Sequence, residues 1–316
     1  MEINSQQNNG VQYKKPGFWK SAGGIVAGGT VTNLVSTASL PLGLYCVGKM
    51  SNINASAKDS FDVINQAANT MLKDSGLEKA GVKIIDAGTK DFYDKYVKIT
   101  DEIFGNVPKK VKDVLNSLNP FAAAYNGKNA FFNPKTSPII KEFMNIEDNA
   151  VYVAKNKLPL ATFHELGHAI NYNSSKIGKA LQGMRYPAMV LAGLLGAIAL
   201  FKAPKAEGEK PKGFFDKATT FIKNNVGKLT FIAMVPMIIE EGLASGRAAK
   251  WAKKLLSPEL AKKVNKVNAL GFATYVGGAA VAGIAAWAGT KVRDKIAHKT
   301  PIEKKFMPNA CQAHQA

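Results

Sequence analysis

Four apolar, uncharged stretches interrupt an otherwise polar chain: Ser21–Gly48, Tyr186–Phe201, Leu229–Ile239 and Ala269–Thr290. The first is rich in Gly, Ala, Ser, Thr and Val and contains Pro41, and reads as one tilted membrane crossing or a re-entrant hairpin. A secretory signal is a poorer reading, because the uncharged run is too long and its start too polar. Within it Gly24 and Gly28 stand four apart, a spacing that suits close helix approach in lipid. The second and third stretches form an apolar hairpin over 186–239. The fourth, 22 residues bounded by Lys266 and Lys291, is the best single transmembrane candidate.

Between these stretches the pattern changes. Phe61, Ile64, Ala68, Met71 and Leu72 recur at helical spacing, a second helix is predicted over Asp91–Phe104, and Val111, Val114, Leu115 and Leu118 mark a third. Residues 51–128 therefore read as a soluble helical region. Asn129–Asn133 and Asn149–Lys155 read as short strands, and Pro159 then opens a helix carrying Leu160, Phe163, Leu166 and Ile170. The resulting organisation is a mobile polar tail over 1–20, an apolar membrane segment over 21–50, the helical region over 51–128, a core over 129–256, a transmembrane helix over 269–290 and a basic tail over 291–316. The predicted class is mainly α, with a short strand pair ahead of the helix that starts at Pro159.

Composition narrows the setting. The chain has 316 residues, 46% of them hydrophobic, with a formal net charge of +19. That charge suits nucleic acid or an anionic membrane. The lysines flank the apolar stretches, and no run interleaves basic with aromatic residues, which favours a lipid bilayer as partner and disfavours nucleic acid. Lysines lie on both sides of the apolar stretches, so charge chooses no orientation for what reads as a multi-pass integral membrane protein. Cys46 and Cys311 make neither a disulfide framework nor a paired-cysteine metal site.

The chemistry lies in His164-Glu165-Leu166-Gly167-His168. Imidazoles four residues apart share one helix face and can bind one Zn²⁺, while Glu165 points round the helix towards a water rather than the metal. With four histidines in the chain, chance would produce this pattern roughly twice in a thousand such chains. Ser174 stands where the extended metzincin pattern needs a third histidine, so that subclass is excluded.

A zinc peptidase needs a third protein ligand. Among the acidic residues after His168, Glu240 and Glu241 stand out because an apolar helix runs into them. Glu241 is favoured, since its face continues with Ala244, Ser245 and Ala248, small enough for close approach to the histidine helix. Glu240 is the alternate; it shares a face with Leu243 and Arg247 and could pair with Arg247 to orient the site.

An N-terminal apolar segment, His-Glu-Leu-Gly-His, two apolar segments, and Glu241 followed by Ala244 and Ala248 together resemble the integral-membrane gluzincin metallopeptidases. That group holds the bacterial heat-shock membrane protease and the eukaryotic CAAX-prenyl protease; the resemblance covers roughly residues 125–255. It implies a zincin-like helical core, a Zn²⁺ cofactor held by His164, His168 and Glu241, Glu165 as general base, and a peptide or membrane-protein substrate. The family usually has an acid four residues after the ligand glutamate, where this chain has Ser245. Arg247 and Tyr172 are the candidates for the oxyanion donor. The rival reading is a non-catalytic basic membrane scaffold or toxin-like protein with a vestigial metal site.

Overall fold

A computed structural model of the chain describes residues 12–14, 16–98, 102, 107–108, 119–135, 146–206, 209–298 and 300–302. The chain divides into two compact units. One comprises Ala38–Leu191 and Phe231–Val281; the other comprises Met1–Thr37, Ala192–Thr230 and Ala282–Ala316.

Beside the pair of β1 (Gln12–Lys14) and β5 (Thr300–Ile302) in the smaller unit, the larger unit has a three-stranded sheet in which β2 (Lys83–Asp86), β4 (Ala150–Val153) and β3 (Phe131–Asn133) lie in that order. Strand β4 pairs parallel with β2 and antiparallel with β3, which is left at an edge. Both faces of β4 are buried, and its alternation serves two cores. Val151 and Val153 face a large cluster with Ile64 and Met71 of α3 (Phe61–Asp74) and Phe163 and Leu166 of α6 (Thr162–Ser174). Ala150 and Tyr152 face an aromatic cluster with Phe92 of α4 (Lys90–Tyr96) and Phe121 of α5 (Pro120–Tyr125). The Tyr152 hydroxyl bridges both backbone groups of Glu147, which closes the turn into β4.

Further helices follow: α7 (Lys176–Gly183), α8 (Arg185–Phe201), α9 (Gly213–Asn224), α10 (Val226–Leu255) and α11 (Pro258–Ile296), after α1 (Phe18–Ser36) and α2 (Ser39–Ala55) near the start. The stretches Phe18–Ala55, Val226–Leu255 and Pro258–Ile296 are long and apolar enough to cross a membrane, and α7 with α8, bent by 42°, make a fourth if counted as one span. Their apolar side chains face outward, as with Leu44, Met189, Leu191 and Trp287, which is the distribution lipid rather than water would favour.

In the smaller unit, the Gly24–Gly28 spacing is used for contact. A β-carbon on Gly28 would sit 2.6 Å from the carbonyl oxygen of Gly289 and 2.8 Å from Cβ of Arg293, so α1 and α11 cross with their backbones in touch. Beside this crossing, buried Lys223 and Arg293 both pair with Asp294, at 2.6 and 3.0 Å.

Several expectations change. The region 51–128 is not purely helical: Lys83–Asp86 forms β2, because its Ile84 and Ile85 find a parallel partner in β4 that no local pattern announces. The helix expected over Asp91–Phe104 is interrupted after α4, at Val97; Lys98 and Glu102 are helical again, and the rest of that stretch, like the helix expected over 111–118, lies outside the described residues. The first apolar stretch is parted into α1 and α2 at Thr37–Ala38, and Pro41 sits in the first turn of α2, where its missing N–H would lack a partner anyway. The tails are partly built in, since Phe18–Lys20 belong to α1 and Gln12–Lys14 pair antiparallel with Thr300–Ile302. Finally, Leu229–Ile239 is no separate segment: α10 continues unbroken through Glu240 and Glu241.

Candidate metal centre

The site lies within the larger unit, where α6 crosses α10. Gly167 sets their distance: a β-carbon there would lie 2.3 Å from the Ala244 carbonyl oxygen. With Ala244 and Ala248 fully buried in the same contact, two backbones meet and a short carboxylate arm spans the gap.

That approach brings three donor atoms together. His164 Nε2 lies 3.0 Å from His168 Nε2 and 3.1 Å from Glu241 Oε2, and His168 Nε2 lies 3.5 Å from the same oxygen. Ligands of a tetrahedral zinc at about 2.0–2.1 Å stand about 3.3–3.4 Å apart, so the three separations fit one ion. Glu165 sits beside the two histidines in a group of donor atoms that fall within 4.8 Å of each other.

The surrounding residues hold this set in place. Glu240 Oε1 accepts from His168 Nδ1 at 2.8 Å, which turns Nε2 towards Glu241. Asn171 donates to the same Glu240 oxygen at 3.1 Å and accepts from Arg247 Nε. The Gln182 amide, its nitrogen towards the carboxylate, adds contacts of 3.1 and 2.6 Å to Glu240. Arg185 reaches both glutamates: NH1 to Glu240 Oε2 at 2.8 Å, and NH2 to Glu241 Oε1 at 2.6 Å but out of line for a hydrogen bond. Arg185 also donates to the Tyr275 hydroxyl at 3.0 Å.

The charge count fits a divalent cation. Glu240 and Glu241 are fully buried, Glu165 nearly so, and among the described residues the one partner of these three carboxylates with a fixed positive charge is Arg185. Burial pushes the Glu165 carboxyl above its ordinary value, against the pull of His168 and His164. Burial works against a proton on His168, but Glu241 and then Glu240 outweigh it and raise the ring to about 10. The same carboxylates that favour a proton there favour a metal ion.

Of the residues singled out from sequence, His164, Glu165, His168 and Glu241 converge, and Glu240 backs His168. Ser245 Oγ lies 3.4 Å from His164 Nδ1. Arg247 does not pair with Glu240; it acts two side chains away, through Asn171. Tyr172 packs against Phe132 and under Lys179, apart from the converging donors. Arg185, Tyr275, Asn171 and Gln182 were not anticipated as site residues; the one available signal was Arg185 as the lone cation at the head of an apolar helix.

Two cavities adjoin the site. One of about 340 Å³ runs along edge strand β3 past Glu165 and His168 to Tyr275. The other, of about 290 Å³, opens from His164 and Glu165 between α2 and α11. No protein-family model, curated protein or solved structure matches the chain.

Proposed function

We propose that the chain is a membrane-embedded, zinc-dependent endopeptidase. The observation that carries this reading is the convergence of His164 Nε2, His168 Nε2 and Glu241 Oε2 within 3.5 Å of one another, with Glu165 beside them. The zincin-like character of the core and the choice of Zn²⁺ belong to this proposal.

Zinc held by these residues would supply a Lewis acid that acidifies water and polarises the scissile carbonyl. The chain's own residues do the rest. Edge strand β3 lines the approach, so an extended peptide can add to it and lie across the site. Glu165 takes the proton of the attacking water and returns it to the leaving amine. Its burial suits both tasks, because a carboxyl with a raised pKa is a stronger base and a ready donor. Tyr275, supported by Arg185, presents a hydroxyl at the rim of both cavities and is the donor for the developing oxyanion.

A metal site without catalysis on a basic membrane scaffold is the second reading, favoured by Ser245, a hydroxyl rather than a carboxylate, beside His164. Metal analysis of the purified protein with casein cleavage before and after chelation separates the two. Zinc near one per chain and chelator-sensitive cleavage support the peptidase; bound zinc without cleavage supports the scaffold.

A further inference from the structure

Helix α9, in the smaller unit, has its polar side turned into the protein and its apolar side turned out. Asp216 and Lys223 stand seven residues apart and share one face. Asp216 is held by Lys202 Nζ, by Lys205 Nζ at 2.7 Å and by the Lys212 N–H at 2.5 Å. Lys223 is only 8% exposed and reaches Asp294 of α11 at 2.6 Å. The other side carries Phe214, Phe215 and Phe221, which are 78%, 82% and 59% exposed. Water would leave three aromatic side chains uncovered while two charges sit inside, the reverse of what burial of apolar surface favours.

The surroundings indicate what covers this side. With 12 residues α9 is about 18 Å long, too short to cross about 30 Å of hydrocarbon. It connects the end of α8 to the start of α10. In the same unit α8 and α11 also turn apolar side chains outward, Leu194 and Trp287 among them, so lipid is the cover that the neighbouring helices call for.

Charge selects the kind of lipid. The described carboxylates of this unit are engaged within it: Asp216 as above, Asp294 with Lys223 and Arg293, and Glu209 with the Ala206 N–H. Lys210, Lys212 and Lys217 stay exposed, and among the described residues no ion pair ties Lys212 or Lys217 to a carboxylate. Lys217 lies between Phe214 and Phe221 round the helix, so its stem can run along apolar surface while its ammonium reaches outward. Exposed aromatic rings among exposed ammonium groups complement an acyl boundary overlaid by lipid phosphates.

We propose that α9 lies in the plane of an anionic leaflet, with Phe214, Phe215 and Phe221 in the acyl boundary and Lys210, Lys212 and Lys217 at the phosphates. This orients the smaller unit, which the spread of lysines along the sequence does not: the end of α8 and the start of α10 meet the anionic leaflet. The inference uses the membrane setting and none of the peptidase chemistry, so its test needs no activity.

The full chain is reconstituted in vesicles of mixed phosphatidylglycerol and phosphatidylcholine. Cys46 is buried and Cys311→Ser removes the other native thiol, so the fluorophore NBD can be attached at one introduced cysteine. The sites are Phe215→Cys, Phe221→Cys and, off the apolar side, Asn224→Cys. At fixed overall composition a quenching nitroxide is carried on the acyl chains of one lipid or the other. Dithionite, let into the vesicles through a channel-forming peptide, reports contact with water. At 215 and 221 the expected result is quenching by acyl nitroxide and protection from dithionite. Phosphatidylglycerol should quench about twofold or more strongly than phosphatidylcholine at equal mole fraction. At 224 dithionite should reach the dye. Combining Lys210→Gln, Lys212→Gln and Lys217→Gln should remove the phosphatidylglycerol excess and keep the acyl quenching. Dithionite access at 215 and 221 would place this side in water, and protection from both reagents would place it under protein, such as a second copy; either overturns the proposal. Equal quenching by the two lipids in the chain with its lysines intact overturns the anionic partner. Insertion at 224 as deep as at 215 overturns the assignment of the inserted side.

Discussion

His168 carries a carboxylate on each of its ring nitrogens: Glu240 Oε1 lies 2.8 Å from Nδ1, and Glu241 Oε2 lies 3.5 Å from Nε2. Two adjacent glutamates on α10 thus hold different posts, one behind the ring and one in front. Their variants should therefore differ. Glu241→Ala removes a donor of the ion, and the protein should emerge from dialysis with little zinc. Glu240→Gln keeps a hydrogen-bonding group behind His168 and should retain the metal with about 10–100-fold weaker affinity, read by competition with a chromogenic chelator. Equal losses in the two variants would mean that the carboxylates share one role.

In the proposed peptidase Glu165 lies beside the histidines as the base and is not a ligand of the ion. Glu165→Gln should keep zinc near the wild-type level and lose about 10²–10⁴-fold or more in peptide cleavage. Metal content and cleavage measured on one preparation decide the matter. Undiminished cleavage with zinc bound would remove Glu165 from the mechanism.

Which parts were legible from sequence follows from the range of the signal. The histidine pair and the small face of Glu241, Ala244 and Ala248 are written in local helical spacing, so the crossing of α6 and α10 could be read. Strand β2 could not, because Ile84 and Ile85 owe their conformation to Val151 and Tyr152, far along the chain. Tyr275 was hidden for another reason. Within and beside an uncharged run rich in glycine and alanine, periodicity does not say which face meets a protein neighbour. Only packing reveals that Tyr275 faces Arg185.

Ser245 offers His164 a hydroxyl at 3.4 Å, a long contact for a hydrogen bond. Ser245→Ala should accordingly change zinc affinity little, by less than about threefold. Ser245→Asp places a carboxylate behind the ring and should strengthen zinc binding by about tenfold, the counterpart of the loss expected at Glu240. Chelator competition on the two variants provides the measurement. Weaker binding in Ser245→Asp would show that His164 Nδ1 is held by something else.

In the smaller unit, Asp216 accepts from Lys202 Nζ, from Lys205 Nζ at 2.7 Å and from the Lys212 N–H at 2.5 Å. The Lys202 and Lys205 ammonium groups, then the Lys212 backbone, hold its carboxyl well below the usual carboxylate range. A depressed folded-state value stabilises the fold fully above the ordinary pKa of an aspartate, about 4, and the contribution declines as pH falls below it towards the folded value. The melting temperature of the wild type should therefore exceed that of Asp216→Asn at pH 7, and the gap should narrow from pH 4 to pH 3. A gap that is constant across this range would assign the effect to packing.

Gly167 tests the geometry on which the metal site depends. The Ala244 carbonyl lies where its β-carbon would be, at 2.3 Å, and a backbone oxygen in mid-helix cannot swing aside as a side-chain tip can. Gly167→Ala must push α6 and α10 apart. Overpacking of this kind costs about 1–3 kcal/mol, which outweighs the gain of about 1 kcal/mol from replacing a helical glycine by alanine. The separation also draws Glu241 away from His164 and His168, so zinc affinity should fall together with the melting temperature. Gly246, two residues past Ala244 and so on the far side of α10 from the contact, has nothing among the described residues within 4 Å of its β-carbon position, and Gly246→Ala should leave both quantities unchanged or slightly raised. If Gly167→Ala melts like the wild type and keeps its zinc, the two helices do not meet at this residue, and the reach of Glu241 needs another cause.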